Sequence, residues 1–103
     1  MEIDVHVGRN DKISVGNYSS ISPSVNLTIK GVDINKFEDV YKKLSMLVSV
    51  MYAAETKECI DTMSDINGLS KSVKSYKEML DQQDFDKMIK DAIKDLKVDD
   101  LPF

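Results

Sequence analysis

Period-two alternation governs the first third of the chain. Asp4 and His6 separate Ile3, Val5 and Val7; Ser14 separates Ile13 and Val15; Asn26 and Thr28 separate Val25, Leu27 and Ile29. Successive side chains of a strand point to opposite faces, so this spacing predicts three strands, each with an apolar and a polar side. Gly8-Arg9-Asn10-Asp11 has the composition of a tight turn, and the polar run from Asn17 ends at Pro23, which suits a loop or a strand edge. The simplest connection of the three strands is an antiparallel meander.

At Asp33 the period becomes helical. Asn35 followed three residues later by Glu38 fits a capping box, and Phe37, Val40, Tyr41, Leu44, Leu47, Val48, Met51 and Tyr52 recur at three- and four-residue spacing. Met46, Val50 and Ala53 add a second stripe, so the helix is apolar nearly all round between Leu44 and Ala54 and needs cover on two sides. The sheet supplies one side. The C-terminal helices or a second subunit supply the other, which makes a homo-oligomer an expectation. The helix is expected to stop between Glu58 and Met63. Val73, Tyr76, Met79 and Leu80 predict a second, shorter helix, and Asp84 caps a third whose stripe is Phe85, Met88, Ile89, Ala92, Ile93 and Leu96. The expected fold is α+β: a three-stranded antiparallel N-terminal sheet packed on a long helix, then two shorter helices. One domain covers residues 1–97, and residues 98–103 form a mobile acidic tip.

Composition narrows the function. A chain of 103 residues, 42% apolar, supports one modest core. The net charge is −4, and the segment from Asp81 onward has seven acids against four lysines, so most of that charge sits near the C-terminus. The body lacks the basic excess of many nucleic-acid binders. Cys59 is the only cysteine, which excludes a disulfide framework within the chain and points to the cytoplasm. No apolar run approaches 18 residues and the first residues alternate in polarity, so neither a membrane span nor a secretory leader is expected.

Enzyme constellations are sparse. His6 is the only histidine, and Cys59 has no second histidine to activate it. Gly8 and Gly16 do not make a phosphate-binding loop, and the tail aspartates lack calcium-loop spacing. The six methionines suit core filling better than metal ligation. No catalysis, cofactor or metal is expected.

The terminus is more specific. Asp99-Asp100-Leu101-Pro102-Phe103 resembles the acidic tip of bacterial single-stranded DNA-binding (SSB) proteins, which ends in aspartates, an aliphatic residue, proline and phenylalanine. A terminal phenylalanine offers a ring and a carboxylate together. A pocket with an apolar floor and an arginine at its lip can hold both. The resemblance implies that Phe103 anchors the tip, Pro102 and Leu101 shape and extend the contact, and Asp99 and Asp100 meet a basic ridge on replication or repair proteins. It covers those five residues alone. The five-stranded oligonucleotide-binding barrel of SSB proteins and their long Gly-, Pro- and Gln-rich linker have no counterpart in this pattern. Gly16-Asn17-Tyr18-Ser19-Ser20, between strands and before a helix, also resembles small proteins of phages and mobile elements.

If the odd-numbered apolar residues face the helix, the opposite face collects His6, Lys12, Ser14, Tyr18, Asn26, Thr28 and Lys30, with Arg9 at the adjoining turn. An open sheet with an aromatic and several cations can stack bases while neutralising phosphates. On this reading Tyr18 stacks, Arg9, Lys12 and Lys30 hold phosphates, and Asn26 and Thr28 bond to sugars or base edges. The expected function is single-stranded DNA binding, by a phage or mobile-element protein that recruits replication or recombination partners through its tip. The alternatives are an interaction protein that occupies SSB-partner pockets without touching DNA, and a structural subunit of a larger assembly.

Overall fold

A computed structural model describes residues 1–16, 19–62 and 70–96. The fold is α+β, in the order β1 (Glu2–Asn10), β2 (Ile13–Gly16), β3 (Ser19–Ile21), β4 (Ser24–Asp33), a single 3-10 turn (Ile34–Lys36), α1 (Phe37–Asp61), α2 (Lys71–Asp81) and α3 (Phe85–Asp95). The four strands form two antiparallel ladders of two, β1 with β4 and β2 with β3, and close no barrel.

This corrects the expected three-stranded meander. Ile13 and Val15 do not join the first ladder; Ile13 pairs with Ile21 and Ser14 with Ser20 in a small ladder of their own. The 25 residues of α1, about 37 Å long, pack against both ladders. The β1–β4 ladder covers the N-terminal half, where Val5, Ile29, Val32, Val40, Leu44 and Leu47 are buried with Ala92 and Leu96 of the third helix region. Val25, Val48 and Tyr52 extend that layer. The second ladder serves the C-terminal half, burying Val15 and Ile21 against Ile60 and Leu80. Two adjoining cores thus share one helix.

A β-bulge corrects the phase of β4. Ile3 pairs with Val32 but Val5 pairs with Ile29, so Lys30 and Gly31 together face Asp4. Gly31 takes a φ of 69°, the left-handed region that favours glycine, and its N–H donates to Asp4 Oδ1 at 3.3 Å. The extra residue returns Val32 to the buried face after Ile29.

A 3-10 turn starts before the point the capping box implies, and α1 itself starts at Phe37. Asp33 Oδ1, not the Asn35 side chain, accepts the first free amide, from Asn35 N at 2.9 Å, and the 3-10 turn feeds directly into α1. Ser70 caps α2 by accepting from Val73 N, and Asp84 caps α3 by accepting from Lys87 N at 3.1 Å, as its sequence position predicts. Cover on the second side of α1 is partial. Ala53 packs into the second core, whereas Met46 is 60% exposed.

Four charges bind α1 to α2. Lys57 lies 2.7 Å from Asp61 and 3.5 Å from Asp81, and Lys77 lies 2.8 Å from Asp81 and 3.4 Å from Asp61. Each helix contributes a Lys-to-Asp pair at i,i+4, and each lysine also reaches the other helix. Leu27, Thr28 and Ile29 of β4, Leu44, Leu47 and Met51 of α1, and Ile93 and Leu96 at the end of α3 line a mostly apolar groove of about 190 Å³. No helix among the described residues is long and apolar enough to cross a membrane.

Candidate nucleic-acid interface

Among the described residues, helices cover one face only of the β1–β4 ladder. Its other face exposes Glu2, Asp4, His6, Gly8 and Asn10 from β1, and Ser24, Asn26, Thr28 and Lys30 from β4. Register puts His6 opposite Thr28, Gly8 opposite Asn26 and Asn10 opposite Ser24. Side chains on cross-strand partners stand close enough to bond, and here they do.

His6 Nδ1 is 2.7 Å from Thr28 Oγ1. The Ser24 hydroxyl donates to Asn10 Oδ1. Asn26 Nδ2 donates to Ser24 Oγ at 3.3 Å and reaches Asn10 Oδ1 at 3.5 Å. Between these pairs lies Gly8, and a Cβ there would overlap Asn26 Oδ1 and stand 3.4 Å from His6 Nε2. The glycine is what lets the Asn26 carboxamide lie flat across the ladder. The result is a polar strip of hydrogen-bonding groups on a rigid scaffold.

Three of the sequence-derived candidates, Asn26, Thr28 and Lys30, share this strip. Lys12 is exposed in the turn between β1 and β2, off the ladder. Arg9 is on the other face. Its guanidinium lies 4.1 Å from the centroid of the Tyr52 ring and its Nε is 3.4 Å from Asp11 Oδ2, so the structure does not bring it together with Asn26, Thr28 and Lys30. Odd numbering on β1 places it there, in phase with Val5 and Val7. Tyr18 and the tip residues Asp99, Asp100, Leu101, Pro102 and Phe103 lie outside the described residues.

The electrostatics of the strip follow. Lys30 is the only cation that β1 and β4 present on it, against Glu2, Asp4 and Asp33, the exposed cross-strand partner of Glu2, at the same end. Hydrogen bonding, more than charge, is its chemistry. Gly8, Asn10 and Ser24 escaped the sequence reading because their significance depends on cross-strand register; the only signal was that each shares the even-numbered phase of His6 and Asn26.

Two other groups have shifted acidities. Burial raises the Tyr52 phenol above its ordinary pKa, and its hydrogen bond to Asp11, at 2.8 Å, and the charge of that carboxylate push it the same way. Burial likewise raises the Cys59 thiol, with Glu55 adding to the effect from 3.8 Å, which disfavours the thiolate a nucleophile requires.

No protein-family model, curated protein or solved structure matches this chain. The geometry of the strip and the resemblance of its tip are therefore what a functional reading rests on.

Proposed function

We propose that this protein binds single-stranded DNA on the open face of the β1–β4 ladder, without catalysis, and recruits replication or recombination proteins through Asp99-Asp100-Leu101-Pro102-Phe103. The observation that carries the binding half is the continuous strip from His6 to Ser24, exposed on a sheet whose other face is buried. The recruiting half rests on the tip's resemblance to SSB proteins. Asn26, Thr28 and His6 offer bonds to bases and sugars, Lys30 and Lys12 neutralise phosphates, and Tyr18 supplies a stacking ring. Self-association belongs to the same proposal, since one face with few cations gains from pooling with another. A cytoplasmic setting and a phage or mobile-element origin complete the reading.

One observation favours a second reading, in which the tip occupies SSB-partner pockets and the body has no affinity for DNA. Arg9 is held by Tyr52 and Asp11, and Glu2 and Asp4 stand beside Lys30. A fluorescence-anisotropy titration with a labelled single-stranded oligonucleotide, at low and moderate salt, separates the two. Two phosphate contacts give a log-log salt slope of about −1.4 for single strands, far shallower than for a basic groove. Saturable binding with that slope supports the first reading; no binding at low salt, with partner capture intact, supports the second.

A further inference from the structure

The strip contains a feature suited to telling unpaired from paired bases. Asn26 Nδ2 is engaged by Ser24 and Asn10, which turns Oδ1 over the backbone of Gly8. From the other side His6 Nε2 leans over the same glycine, its ring held through Nδ1 by Thr28. One fixed acceptor thus occupies the place a Gly8 side chain would take, beside a ring nitrogen whose polarity is adjustable. A threonine hydroxyl can give or take a bond, so either histidine tautomer satisfies it, and Nε2 then presents a donor or an acceptor.

Every nucleobase places an N–H donor beside an acceptor on its pairing edge. In a duplex the partner base occupies that edge; in a single strand it is free. We infer that Asn26 Oδ1 and His6 Nε2, poised over Gly8, read the pairing edge of an unpaired base and so select single strands irrespective of sequence. Asn26 accepts the base N–H, and His6 adopts whichever tautomer the neighbouring base atom needs. Lacking a Cβ, Gly8 leaves room for the Asn26 carboxamide, which presents Oδ1 to the edge from the exposed face. This deepens the proposed function and rests on it, because it assigns selectivity to hydrogen bonds in a site where phosphate contacts are few.

The test compares a labelled oligothymidylate with the same oligomer built from N3-methylthymidine, which keeps phosphates and ring faces but blocks the N–H. The expected result is about fivefold weaker binding of the methylated strand, the scale of one lost hydrogen bond. Asn26→Ala is expected to bind the two strands alike, with Gly8→Ala doing the same by displacing the carboxamide and circular dichroism confirming that both variants fold. Equal binding of both strands by the unsubstituted protein overturns the inference and leaves the proposed function standing. Failure to bind either strand overturns both.

Discussion

The guanidinium of Arg9 lies over the ring of Tyr52, 4.1 Å from its centroid, while the Tyr52 hydroxyl donates to Asp11 Oδ2 at 2.8 Å. Arg9 also pairs with Asp11, so the three side chains close a small circuit joining the end of β1 and the turn after it to the middle of α1. The circuit is structural in character. Its cation is already matched by a carboxylate and a ring face, which leaves little for a phosphate.

Substitutions here should therefore affect stability and not DNA binding. Tyr52→Phe keeps the ring beneath Arg9 and loses the hydroxyl bond, costing about 1 kcal/mol. Arg9→Ala is expected to lower the denaturation midpoint while leaving oligonucleotide affinity within about twofold. Lys30→Ala should do the reverse. Chemical denaturation and anisotropy on the same variants check both.

The Lys57, Asp61, Lys77 and Asp81 cluster predicts a pH profile. The hydrogen bond from Lys77 is the main reason that Asp81 sits below the usual carboxylate pKa, and the hydrogen bonds that Lys57 donates to Asp61 and Lys77 donates to Asp81 are the main reason that the two lysines are raised. A lowered carboxylate contributes stability above its unfolded pKa of about 4 and loses it as pH falls through the folded value. A raised lysine contributes fully below about 10.4 and loses its share as pH climbs through the folded value. Tyr52, also raised, adds to the alkaline loss. Thermal melts of the protein and of Asp81→Asn should differ by a constant amount between those limits and converge at the acid end.

The two cores should respond separately. Leu44 is 1% exposed within the first and Leu80 is 2% exposed within the second. Leu44→Ala should cost about 2–5 kcal/mol and weaken the whole fold. Leu80→Ala should loosen α2 and the β2–β3 ladder first. Hydrogen exchange in that variant is expected to rise at Val15 and Ile21 while amides of the β1–β4 ladder stay protected.

Gly31 is fixed by its backbone. Its φ of 69° strains any residue with a Cβ, so Gly31→Ala should destabilise by about 1–2 kcal/mol and disturb the bulge that brings Val32 inward. Equilibrium unfolding measures the first effect.

These positions also show why some of the fold was legible and some was not. The long helix, the Asp84 cap and the inward alternation of Val5, Val25 and Ile29 follow from local periodicity, which the final structure preserves. Ser19-Ser20-Ile21 carries one apolar residue and no period, so β3 exists because Ile21 pairs with Ile13 and reaches the core, a tertiary cause. The three-residue step from Ile29 to Val32 was the sequence trace of the bulge. Arg9 was misplaced by reading it as part of a turn when β1 continues to Asn10 and keeps its phase. The polar strip needed the register itself, since His6 and Thr28 are 22 residues apart.

An amide-resolved NMR titration with a short single-stranded oligonucleotide tests the binding surface directly. The account predicts progressive, saturable shifts at His6, Gly8, Asn10, Ser24, Asn26, Thr28 and Lys30, with little change at Arg9 or along the buried side of α1. A spectrum that the oligonucleotide leaves unchanged, or shifts confined to residues away from β1 and β4, would contradict it.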